Sequence, residues 1–97
     1  MIGADMNVRI ARLAHFEGYV QGVGFRYTAL NLARRYSVYG YAMNMPDGSV
    51  EVHAEGIADQ VDNFIQTLKN EMSEYIQKTT TQELPPTGLY DRFTIKY

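Results

Sequence analysis

The stretch VYGYAMNMPDGSVEVHAE, Val38 to Glu55, decides the fold. Residues Val38 to Asn44 carry two alternating sets, Tyr39, Tyr41 and Met43 against Val38, Gly40, Ala42 and Asn44, which is the period of a strand. Met45-Pro46-Asp47-Gly48 then turns the chain: Pro presets φ, Asp bonds nearby backbone and Gly tolerates positive φ. Beyond it, Val50, Val52 and Ala54 alternate with Glu51, His53 and Glu55, which predicts a strand with one buried face and one wet face. Two strands joined by such a turn form a hairpin.

On both sides of the hairpin the period lengthens. Upstream, Phe25, Ala29, Leu32, Ala33 and Tyr36 fall on one helical stripe, and Arg34 and Arg35 close that helix where positive charge suits the dipole. Downstream of Gly56, Val61, Phe64, Ile65 and Leu68 mark a second amphipathic helix, with Asp59 near its start and an end left open by Met72 and Ile76. A short-period segment from Val8 to Glu17, bounded by Gly18, reads as the first strand, although Arg9, Arg12 and His15 blur its two faces. Gln77 to Glu83 is polar but rich in Thr and reads as a strand stopped by Pro85-Pro86-Thr87-Gly88, and Phe93, Ile95 and Tyr97 close the chain with a short last strand. The order β-α-β-β-α-β with an added C-terminal strand predicts an α/β (α+β) sandwich of ferredoxin-like topology, two helices on one face of a mainly antiparallel sheet. Right-handed crossovers make the first two strands parallel, so Gly18 and Asn44 end at the same sheet edge, roughly 10 Å apart across one intervening strand.

Composition narrows the function classes. With 97 residues, 45% of them hydrophobic and 21% charged, the chain is expected to be one globular domain over 1–97, with residues 1–6 as a loose N-terminal extension. It has no cysteine, which excludes disulfides, thiolate nucleophiles and cysteine-rich zinc sites. The net charge of −2 gives no general positive field for nucleic acid, so any anion must be held by local groups. The N-terminal residues lack the pattern of a signal peptide and no stretch is apolar enough for a membrane span, so a cytoplasmic protein with no membrane partner is expected.

The chemistry lies between the first strand and the first helix, in Gln21-Gly22-Val23-Gly24-Phe25-Arg26. The first N–H groups of a helix have no intrahelical partner, glycines let the preceding backbone curl into an anion-binding nest, and the dipole adds partial positive charge. Arg26 supplies a planar fork matched to two phosphate oxygens. Taken alone, Gly-x-Gly before a helix also reads as a tight turn with Arg26 as a surface charge, and Asn44 ahead of Pro-Asp-Gly as a plain turn residue.

The full string GYVQGVGFR, Gly18 to Arg26, resembles the signature of the acylphosphatase family nearly position for position. Gly40-Tyr41-Ala42-Met43-Asn44, with its turn and following strand, resembles that family's second signature, and Pro85 to Tyr97 its closing segment. Tyr19, the Met45-Pro46 turn and the Thr-rich fourth strand depart from the pattern and bear on loop shape. The resemblance implies hydrolysis of a small-molecule acyl phosphate to carboxylate and inorganic phosphate, without metal, cofactor or covalent intermediate. It implies that Arg26 and the backbone N–H groups of residues 21 to 26 bind the phosphoryl group while Asn44 positions the attacking water. A carboxamide offers both donor and acceptor and suits that role, although it is no strong base. Phosphate is then product and inhibitor, and a monomer is expected.

The rival class is a non-catalytic ferredoxin-like module that binds an anion or RNA, with Tyr39 and Tyr41 stacking bases on an open sheet face. No basic surface accompanies those tyrosines. His15 and His53 each stand alone and are read as structural or surface residues, His53 on the solvated face of its strand.

Overall fold

In the computed structural model, which describes residues 8–97, the elements run β1 (Arg9–Gly18), α1 (Phe25–Tyr36), β2 (Tyr39–Asn44), β3 (Val50–Ile57), α2 (Ala58–Glu71), β4 (Ile76–Leu84) and β5 (Phe93–Lys96). The expected extension at 1–6 lies outside the described residues. The strands form one sheet in the order β4-β1-β3-β2-β5. β5 runs parallel to β2, and the other neighbours are antiparallel, as the ferredoxin-like reading requires. Boundaries move by a residue or two: β4 takes in Ile76 and Leu84 beyond the expected 77–83, and α2 stops at Glu71 before a turn.

Both helices cover one sheet face. The core between them holds Ala14 and Phe16 of β1, Phe25, Ala29, Leu32 and Ala33 of α1, Ala42 of β2, Val50, Val52 and Ala54 of β3, and Val61, Phe64 and Leu68 of α2. These are the helical stripe and the apolar strand sets read from the sequence, because burying about 25 cal/mol per Å² of apolar surface rewards the register that turns them inward.

Two registers place the chain ends that matter. Phe16 and Asn44 both lie opposite Val50, on its two sides, so β1 and β2 finish at the same edge with β3 between them. At that edge β1 breaks register between Glu17 and Gly18, and the Tyr19 N–H donates to the Tyr75 carbonyl at 3.0 Å. Such an irregularity bends a strand away from its partner, and here it releases the chain into the loop before α1. The Phe16 and Phe25 rings then meet at 5.0 Å between centroids, tying the end of β1 to the first turn of α1.

The second sheet face departs from expectation. His53 and Glu55 were expected on a wet face, yet they are 6% and 4% exposed. The segment after β4 folds back across them: Thr87 and Gly88 donate backbone N–H groups to Glu55 Oε1 at 3.0 and 3.1 Å, the Thr87 hydroxyl donates to Oε2 at 2.6 Å, and the Tyr90 ring lies 5.0 Å from the His53 ring. Neither histidine stands alone. His53 Nε2 is 2.6 Å from Glu55 Oε2, and His15 Nε2 is 3.0 Å from Glu51 Oε1. Burial alone would push the Glu55 carboxyl up. The hydrogen bonds from Thr87, His53 and Gly88 outweigh it and hold that carboxyl below its ordinary value.

Candidate active site

Gly22 and Gly24 both adopt left-handed φ, 78° and 79°. A Cβ at either would meet nothing within 4 Å, so their requirement is conformational and not one of space. With Gly24 as N-cap, no side chain caps α1, and its first turn contains no acidic residue. The Gly24 carbonyl is occupied by the Thr28 N–H and hydroxyl, at 3.0 and 2.9 Å. What this end of the helix presents is donors: the early N–H groups that no carbonyl inside the helix can satisfy, with the positive end of the dipole behind them.

These donors border a cavity of about 180 Å³ lined by Val20, Gly22, Gly24, Phe25, Arg26, Tyr27 and Asn44. Arg26 comes from the first turn of α1 and Asn44 from the last residue of β2, so the cavity joins the two motifs at the edge where their strands end. Of the residues expected to bind the phosphoryl group, Gly22, Gly24, Phe25 and Arg26 line the cavity, whereas Gln21 and Val23 do not; Asn44, expected to position the water, lines it too. Phe25 is buried, with only 2% of its surface exposed. Val23 is half-buried against the core. The Gln21 carboxamide reaches across to the β2–β3 turn, donating to the carbonyls of Met45 at 2.8 Å and Ser49 at 2.9 Å.

Two aromatic residues beside Arg26 escaped the sequence reading. Tyr27 lines the cavity, and the Arg26 guanidinium carbon stands 4.9 Å from the centroid of the Tyr97 ring, a cation–π distance. The neighbouring Tyr27 hydroxyl pushes the Tyr97 phenol above its ordinary value, with Arg26 pulling the other way. The signal for Tyr97 was topological: β5 pairs with β2 in parallel, Met43 opposite Lys96, so the residue after β5 leaves on the side where β2 ends at Asn44.

A hollow of about 310 Å³ at the same edge is lined by Glu17, Gly18, Tyr19, Asp47, Gly48, Ser49 and Gln77. Its two carboxylates repel a phosphate, and hydrogen bonds from Ser49 lower the Asp47 carboxyl and keep it charged. The Tyr41 half of the tyrosine platform of the RNA reading is occupied. The Tyr41 ring stacks on His53 at 5.7 Å and takes the Lys96 ammonium at 4.2 Å, and its hydroxyl donates to Glu51 at 2.7 Å. Burial, with Glu51 beside it, raises the Tyr41 phenol well above its ordinary value. Among the described residues no three His, Asp or Glu side chains converge to hold a metal ion, and no helix is long and apolar enough to cross a membrane.

Known proteins resemble the chain over the same span. The family model described as acylphosphatase matches residues 13–95. An acylphosphatase of Thermotoga petrophila is 44% identical over 82 residues, covering 84% of this chain and 90% of that protein. One from Methanospirillum hungatei is 42% identical over 81 residues, covering 81% and 88%. The crystal structure of acylphosphatase from Bacillus subtilis superposes with a TM-score of 0.83 at 29% identity, covering 91% of this chain and 99% of that one.

Proposed function

This chain belongs to the acylphosphatase family, and from that premise we propose that it hydrolyses the carboxyl–phosphate bond of small acyl phosphates by direct attack of water on phosphorus. The observation that carries the mechanism is the cavity shared by the α1 N-terminus, Arg26 and Asn44.

The phosphoryl oxygens sit against the N–H groups of the 21 to 26 loop and the first turn of α1, with Arg26 bridging two of them. As the bond to the acyl oxygen lengthens, charge spreads over these oxygens, and the donors already point at them. Asn44, from the neighbouring strand end, holds a water by one edge of its amide on the side away from the leaving group. The departing carboxylate is a weak base with a conjugate-acid pKa of roughly 4, so it needs no general acid. That agrees with the placement of His15 and His53, both committed to glutamates on the other sheet face. Positioning and charge stabilisation carry the reaction, and the chain's own residues suffice without a metal ion.

The reading is tested by incubating the protein with benzoyl phosphate and, separately, with a phosphate monoester. Benzoate and phosphate should appear in equal amounts from the first and nothing from the second, and inorganic phosphate should inhibit competitively. Hydrolysis of neither compound would return the chain to the anion-binding class. Amide shifts on phosphate titration should concentrate at residues 21 to 26. Shifts clustered at Tyr39 and Tyr41 would mean that the cradle is misassigned.

A further inference from the structure

Gln21 belongs to the loop motif, yet its side chain takes no part in lining the cavity. Its carboxamide nitrogen instead donates to the carbonyls of Met45 at 2.8 Å and Ser49 at 2.9 Å, across 24 and 28 residues of sequence. These two carbonyls have a particular standing in the β2–β3 connection. The Ser49 carbonyl accepts the Met45 N–H at 2.8 Å, and the Met45 carbonyl accepts the Gly48 N–H at 3.1 Å. They are the acceptors of the hydrogen bonds that close the turn following Asn44. A primary amide nitrogen carries two hydrogens and each carbonyl has two lone pairs, so one side chain reaches both acceptors without displacing either backbone bond. With two carbonyls as partners, the nitrogen must face the turn, which fixes the amide orientation.

We propose that Gln21 is a positioning residue that clasps the β2–β3 turn to the phosphate loop and thereby sets where Asn44 stands relative to the bound phosphoryl group. The proposal rests on the phosphoryl and water roles given above to the loop and to Asn44. Gln21 is followed immediately by the glycine-bent cradle, and Met45 immediately follows Asn44, so the clasp joins the two halves of the cavity within one residue of each. β1 and β2 are not hydrogen-bonded to each other, because β3 lies between them. A displacement of about 1 Å between a positioned water and phosphorus costs on the order of 10² in rate, which is the leverage such a clasp has.

The shape of the side chain gives the test its controls. Gln21→Ala removes the clasp. Gln21→Glu keeps its length but turns two acceptors toward two carbonyls, so it should do no better. Because Gln21 is exposed, both variants should fold, which the thermal midpoint checks. With benzoyl phosphate, Gln21→Ala should lower kcat by about 10- to 100-fold while changing the phosphate inhibition constant by less than about 3-fold. In an Asn44→Ala background, adding Gln21→Ala should cost less than about a further 3-fold, since there is no longer an amide to position. An equal loss in both backgrounds would overturn the proposal, as would phosphate affinity falling in step with kcat, which would make Gln21 a phosphate ligand. A second measurement is independent of catalysis. The 15N-amide shifts of Asn44, Met45 and residues 47 to 49 should move in Gln21→Ala. If they stay put, no clasp exists, whatever the activity. If they move but the unmodified protein leaves benzoyl phosphate intact, the clasp stands and the hydrolase reading fails.

Discussion

Glu55→Ala should destabilise the fold without touching the chemistry, and its size can be worked from the contacts. The carboxylate accepts four hydrogen bonds: His53 Nε2, the Thr87 hydroxyl, and the backbone N–H groups of Thr87 and Gly88. At a net worth of about 1 to 1.5 kcal/mol each, these would total roughly 4 to 6 kcal/mol. Thr87 and Gly88 lie in an exposed segment and regain water when it lifts, which lowers the loss. The His53 side chain is only 7% exposed and keeps its desolvation penalty. About 2–4 kcal/mol is the expected net, and for a domain of this size that lowers the thermal midpoint by roughly 10–25 °C. Thermal and urea unfolding followed by circular dichroism measure it. Because Glu55 is five residues along β3 from Val50, roughly 17 Å, and faces away from the helices, kcat at a temperature where the variant is folded should stay within about 2-fold of wild type. The sign of the pH dependence is also set. A carboxyl held below its ordinary value of 4.5 contributes stability that is fully present above that value and lost as pH falls through the depressed one. Glu55→Ala should therefore flatten the acid limb of the stability curve. A loss below about 0.5 kcal/mol, or an unchanged acid limb, would refute the reasoning.

Arg26→Lys keeps the charge but loses the planar fork, so phosphate affinity and kcat should fall together; inhibition and turnover assays on one preparation would show whether only one changes. Asn44→Ala should leave phosphate binding largely intact while kcat drops by about 10² or more, and near-normal turnover in the folded variant would reduce Asn44 to a turn residue. Asn44→Asp should not restore activity, since it replaces a donor with an acceptor and brings negative charge toward the phosphoryl group; a rate at or above wild type would point to general-base activation of the water. Turnover should survive strong chelators, and loss on chelation with recovery on adding a divalent ion would overturn the metal-free route.

The architecture was legible because its signals are local. The 45–48 turn, the stripe from Phe25 to Tyr36 and the Val50–Val52–Ala54 alternation each need only neighbours in sequence, and the structure realises all three. The approach of the loop to Asn44 followed from crossover handedness, a rule about chains in general. What stayed hidden was the covering of surfaces. Alternation says that Glu51, His53 and Glu55 share a face, but not that residues more than thirty positions later fold over it. Glu55 reads as a solvated carboxylate until Thr87 is seen beside it. Gln21 was legible as a member of the loop and illegible as a clasp, because its partners are backbone carbonyls, which every residue carries and no sequence pattern marks.

The central claim is that water, held by Asn44, attacks phosphorus while the acyl carbon is left alone. Hydrolysis of benzoyl phosphate in 18O-enriched water tests it directly, with both products examined by mass spectrometry. The account predicts one solvent oxygen in each phosphate released and none in benzoate, since the bond between phosphorus and the acyl oxygen is the one that breaks. Label appearing in benzoate instead would mean attack at the carbonyl, and the roles given to the loop, Arg26 and Asn44 would have to be abandoned.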